Sequence, residues 1–495
     1  MGEMNFTLPP DLSVEAMHQL ERISVTSGHD SVPASCQIQL NPSQLTLLRE
    51  TDDSGNVSVP WQVKNAGRIL INTGTLIERK EPYDLLLELA RGKVNQLRNQ
   101  TFDWLFGGLN MPPSLAQQIR DSTLAFCRSV GRQPSEEARK LAENAIVLAC
   151  EAADQLIGVY TNQVFKIRKQ RQPKMDSVLG CRMGTSIPDE DATASLLKTC
   201  NGISIPFKMR DIVPDEGDYT WEQSDALVEW ATAQDLQVIG GPIVDFRSSQ
   251  IPEWLWLWEH DRTRIGKLLC EYAADVVERF QEKISTWQIT SFSNVPGVLS
   301  LKDDEMLWMT LQIAESVKRV APDSELIIGI CQPWGDYIHE TEFSYSPFVF
   351  VDTILRSGVN VSAIDLEIVM GVAKDGSYCR DLLDFSRLLD FFALLGVPLN
   401  VTIAYPAESE QHESDEQGGQ SKGYWRAGMD LHTQSDWASE FGALALCKPY
   451  VRMVQWAKFS DAHSELYPHC GLFDSEGNSR PAMQRWRRLH EKYLT

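Results

Sequence analysis

The chain has 495 residues, 43% of them hydrophobic and 23% charged, a composition that excludes a disordered polymer and leaves room for two or three globular units. No apolar run approaches the roughly 18 residues needed to cross a bilayer, so a membrane partner is not expected. The formal charge of −22 repels polyphosphate and sets nucleic acid aside. The one dense basic run, Lys166–Lys174, reads as a solvated linker or helix end.

The first ten residues have neither a basic nor an apolar signal-peptide region, so a cytoplasmic location with free thiols is expected. The 10 cysteines include no C-x-x-C pair, and the expectation is no metal and no cofactor. From Gln37 to Arg79, short alternating runs are broken by D-D-S-G-N and N-A-G, the punctuation of β-hairpins. A small antiparallel β unit is expected over residues 1–80. Helical periodicity follows over 81–175: a stretch from Pro82, then Ser114–Val130, then Ser135–Gln172, where Ser135 and two acids make a helix start.

Beyond Pro173, short apolar strands alternate with amphipathic helices. The expected strands are Leu179–Met183, Gly202–Pro206, Gln237–Phe246, Ser285–Thr290, Leu326–Cys331, Ala363–Ile368, Leu399–Ile403 and Met453–Trp456. This predicts an α/β fold class, a (β/α)8 TIM barrel over 176–495 preceded by the β unit and a helical segment packing on it. The polar segment Glu408–Gly423 reads as a long loop.

Several segments carry a family resemblance in order and spacing. They are L-L-K-T-C-N-G-I-S-I-P-F-K-M-R with Asn201, Met209 and Arg210 in register, V-V-E-R-F-Q-E-K-I-S-T-W-Q-I-T-S-F, and W-A-K-F-S-D-A-H-S followed by C-G-L-F-D-S-E-G-N-S-R-P-A-M. Together they resemble glycoside hydrolase family 10, the endo-1,4-β-xylanase-like enzymes, over most of the barrel. The resemblance implies retaining hydrolysis by an acid/base and a nucleophilic carboxylate about 5–5.5 Å apart. In this chain those positions fall on Phe292 and Ile403, and no Asp or Glu lies between Trp287 and Leu301 or between Gly396 and Pro406. The standard mechanism at those positions is therefore excluded.

Polar residues remain where barrel strands end, which is where such barrels place chemistry. Glu367, in the apolar strand I-D-L-E-I, and Asp245, closing the third strand, are the candidate catalytic carboxylates. Asp365 shares the face of Glu367 and sits deeper. Gln332, Trp334, Tyr405, Trp456, Asp461 and His463, with Asp336, form a candidate sugar-contacting set. Asp245 has a second reading as a partner of Arg247, and Trp334 and Trp456 as core residues.

Three functions are compatible with these residues. One is a divergent xylanase-like glycosidase cleaving O-glycosyl bonds of a β-linked oligosaccharide with Glu367 and Asp245. The second is an inactive glycan-binding barrel. The third is a protein-interaction scaffold whose barrel mouth is filled or covered.

Overall fold

The computed structural model describes residues 2–27, 32–34, 36–172, 174–338, 345–409, 422–462 and 466–494. His463 and most of the segment Glu408–Gly423 lie outside the described residues. The eight expected barrel strands are present: β1 (Val178–Arg182), β2 (Gly202–Ile205), β3 (Gln237–Gly240, resumed at Val244–Asp245), β4 (Thr286–Ser291), β5 (Glu325–Cys331), β6 (Ala363–Val369), β7 (Leu399–Ala404) and β8 (Val451–Trp456). Each pairs in parallel with its neighbours, and β8 pairs with β1 and β3 with β4, so the sheet closes on itself. Nearly every strand residue is buried, because parallel strands are covered by side chains inside and by helices outside. That is why they read as continuous apolar runs.

The inside of the barrel also holds polar groups linked across four strands. Ser204 on β2 donates to Gln455 on β8 (2.8 Å), Gln455 to Thr402 on β7 (2.8 Å), and Thr402 to Asp365 on β6 (2.7 Å). With each member paired, this chain avoids the cost of an orphaned buried dipole.

The N-terminal residues form two small sheets. Strands appear from Gly2 onward, inside the expected unit but ahead of the alternation read from Gln37, because G-E-M-N-F-T alternates and buries Met4 and Phe6. One sheet contains Gly2–Thr7, Gln37–Asn41, Gln44–Arg49 and Tyr83–Asp84. The other contains Ser24–Ser27, Val32–Ala34, Gly55–Val63 and Gly67–Asn72. Three helices follow: α1 (Leu85–Phe106), α2 (Pro113–Val130) and α3 (Glu136–Arg171). Asp84 and Ser135 cap α1 and α3 by accepting from Leu87 and Ala138 backbone N–H groups. None of the helices among the described residues is long and apolar enough to cross a membrane.

This unit is stitched to the loops at the carboxyl ends of β6 and β7. The pair Tyr424–Trp425, downstream of β7, adds a strand to the sheet edge at Gly67–Arg68. Leu70 donates from its backbone to Cys379 (2.8 Å), Tyr378 donates its hydroxyl to Gln19 (2.9 Å), and buried Lys93 on α1 pairs with Asp381. Helix α1 lies directly on the strand Gly67–Asn72: a Cβ on Gly92 would fall 1.9 Å from the carbonyl oxygen of Asn72. Only glycine permits that approach.

Candidate functional site

At the carboxyl end of the barrel the two candidate catalytic carboxylates are present, but arginines hold them. Glu367 is 2% exposed. Its Oε2 accepts from Arg182 Nη1 at 2.6 Å, and its Oε1 accepts from Arg247 Nη2 and from the Tyr467 hydroxyl. Burial pushes the Glu367 carboxyl up, but the two guanidinium charges and the Tyr467 hydroxyl outweigh it and hold the group at about 2. Asp365, one layer deeper, is pushed up to about 6 by burial, with Arg182 3.6 Å away acting against that rise.

Asp245 accepts from Arg247 Nη1 at 2.5 Å and from its backbone N–H at 3.1 Å. Asp245 thus pairs with Arg247 at the end of β3, as the second of its two readings in the sequence has it. Burial raises its carboxyl above the usual range despite that arginine. One guanidinium thus bridges Asp245 and Glu367. The Arg247 guanidinium also lies over the Phe292 ring at 4.6 Å and the Tyr467 ring at 5.2 Å. Phe292, at the acid/base position, is buried with a left-handed backbone (φ 63°), and Ile403, at the nucleophile position, is fully buried.

Among the described residues a cavity of about 60 Å³ opens at this mouth, lined by Arg182, Asp245, Phe207, Lys208, Lys458 and Tyr467. That is well below the roughly 300–1,000 Å³ of ordinary small-molecule sites and suits a few waters. Among the described residues no three His, Cys, Asp or Glu side chains are grouped to hold a metal ion.

The other candidates scatter. Trp456 is fully buried, donates its indole N–H to the Cys470 carbonyl (2.7 Å) and meets Trp437 and Trp486 edge-on. Tyr405 is fully buried and bridges the Gly428 carbonyl and the Trp425 N–H, each at 2.9 Å. Both therefore lie under the mouth, within the packing between β7, β8 and their helices. Asp461 is tied to Lys458 (2.8 Å) and Arg480 (2.5 Å). Gln332 is buried with φ 45°, at the turn after β5 that carries Trp334. Trp334 is half-buried, with the Arg380 guanidinium 4.3 Å from its ring centre, and Arg380 is anchored on Asp336 at 2.5 Å.

Sequence reasoning missed the controlling residues Arg182 and Tyr467. Arg182 had a signal, a charged residue ending the apolar strand L-G-C-R-M, where burial demands a partner. Tyr467, in the loop after β8, had none.

Residues 177–291 match the family model described as glycosyl hydrolase family 10. The match ends one residue before Phe292. The endo-1,4-beta-xylanase C of Paenibacillus barcinonensis is 23% identical over 286 residues, covering 51% of this chain and 25% of that protein. This chain thus spans a quarter of that relative's length. Among solved structures, xylanase 10B of Thermotoga maritima is 19% identical with a TM-score of 0.49, covering 66% of this chain and 98% of the other. Xylanase 10B of Thermotoga petrophila RKU-1, crystallised with xylobiose, is 17% identical with a TM-score of 0.49, covering 67% and 98%.

Proposed function

Starting from a barrel that resembles glycosyl hydrolase family 10, we propose that this chain is a xylanase-like protein that has given up hydrolysis and kept carbohydrate binding. The observation that carries this reading is the capture of Glu367 by Arg182, Arg247 and Tyr467. A general acid works best with a pKa near the operating pH. Held well below the ordinary carboxyl range by Arg182 and Arg247, Glu367 is ionised at pH 7 and carries no proton to give.

A nucleophile or base role fares no better, since two guanidinium groups and a hydroxyl on the carboxylate oxygens lower their basicity. Glycosidases leave space between their two carboxyl groups for the scissile bond, with or without a water. Here the Arg247 guanidinium occupies the space between Asp245 and Glu367. The neutral class of partner follows from the resemblance and from the acidic chain, which disfavours polyanions.

The test is product release from β-linked oligosaccharides and aryl glycosides, run beside calorimetry, for wild type, Glu367→Gln and Asp245→Asn. The expected result is binding heat with no product from any of the three. Turnover by wild type that falls by orders of magnitude in either variant, with folding intact, would overturn the reading and make Glu367 and Asp245 the acid and the nucleophile or base of a rewired glycosidase.

A further inference from the structure

Among the described residues the barrel mouth holds a cavity of only about 60 Å³, and a cleft of about 650 Å³ opens beside it, between the N-terminal unit and the loops after β5 and β6. Its volume is ten times that of the mouth cavity and falls within the range of small-molecule sites, which favour domain junctions. One wall is helix α1. Asn95 and Asn99, four residues apart, present amides from the same helix face, with Gln100 beside them and Asn56 from the adjoining sheet. The opposite wall carries Trp334 and Phe391.

The chemistry of this lining is specific in kind. An amide offers both donors and an acceptor, the combination that matches hydroxyl groups, which also do both. Trp334 supplies an aromatic surface whose orientation is set in advance, because Arg380 stacks on the ring and Asp336 holds Arg380 through two oxygens at 2.5 and 3.1 Å. The remaining charges nearly cancel: Arg387 stands 4.0 Å from Asp384, leaving Asp103 as the one unmatched charge among the described lining residues. Among the described residues a phosphorylated or carboxylated ligand would therefore meet no surplus cation, and an apolar one would strip water from amides without replacing their bonds.

We propose that this cleft, rather than the barrel mouth, is where the chain binds a short neutral oligosaccharide, with its sugar rings against Trp334 and its hydroxyls on the amides of α1. This rests on the carbohydrate-binding reading above and adds the place, most of which the N-terminal unit supplies.

The experiment is calorimetric titration of the full chain with xylotetraose and cellotetraose, comparing wild type with Trp334→Ala, Trp334→Tyr, Asn99→Ala and, in the mouth cavity, Lys208→Ala. Trp334→Ala should weaken binding by about tenfold or more, Trp334→Tyr should keep most of it, Asn99→Ala should cost a few-fold, and Lys208→Ala should leave it unchanged. Asn99 is solvent-exposed, so its variant carries the test alone if Trp334→Ala does not fold. Loss of binding in Lys208→Ala with no change in Trp334→Ala or Asn99→Ala would place the sugar in the mouth and overturn this inference while the functional reading stands. Failure of wild type to bind either sugar overturns both.

Discussion

Replacing Glu367 with glutamine keeps the side chain's shape and removes the one charge that Arg182 and Arg247 share. The fall of the carboxyl from its ordinary 4.5 to about 2 in the folded barrel corresponds to roughly 3 kcal/mol of stabilisation of the ionised form. Breaking a buried ion pair by removing one partner costs about 3–5 kcal/mol. Asp245 remains for Arg247 and Asp365 for Arg182, which points to the lower end, so the expected loss for Glu367→Gln at pH 7 is about 3 kcal/mol. The sign with pH follows from a depressed folded pKa: the contribution is complete above about pH 4.5 and is lost as the pH falls towards 2. Guanidinium unfolding followed by tryptophan fluorescence reads it, because Trp287 and Trp456 are fully buried in the barrel. The gap between wild type and variant should narrow below pH 4.5. A variant as stable as wild type at pH 7, or more stable, would refute the reasoning. It would mean that the carboxylate is kept at a cost to the fold, as reacting groups often are.

Two other substitutions test the packing logic. Gly92→Ala normally stabilises a helix interior by about 0.5–1 kcal/mol, but the added Cβ would meet the Asn72 backbone, so the sign should invert to a loss of about 1–3 kcal/mol; a raised melting temperature by circular dichroism would contradict it. Asp365 runs opposite to Glu367, since burial lifts its folded pKa from 3.8 to about 6, so its contribution is greatest below about pH 4 and is lost as the pH rises through 6. Asp365→Asn should therefore gain on wild type by up to about 3 kcal/mol across that window in the same unfolding assay, and a difference that stays flat with pH would refute the assignment.

The barrel was legible because each of its strands is a local object: a short apolar run bounded by turn residues, with a helix to follow. β6 and β7 fall within a residue of their expected ends for that reason. The absence of carboxylates at Phe292 and Ile403 was equally legible, being a matter of identity at a position. So was the Asp245 and Arg247 pair, two residues apart on one strand end. The first N-terminal strand was legible in principle, since Met4 and Phe6 alternate with polar neighbours, although the stretch is too short to stand out.

The fate of Glu367 was a different kind of question. Its partners Arg182, Arg247 and Tyr467 are 185, 120 and 100 residues away in the chain. Whether a buried carboxylate is a poised acid or a locked anion depends on charges within a few ångströms, and those distances exist only once β1, β3 and β6 close into one ring. The same holds for Trp334, a candidate sugar contact with a core role as its alternative in the sequence, which lines a cleft because α1 is laid across from it. Residue identity and local periodicity determined the barrel and the absence of carboxylates at Phe292 and Ile403; the closure of the sheet and the docking of the N-terminal unit decided which polar groups face one another, because electrostatic and solvation energies depend on separation in space.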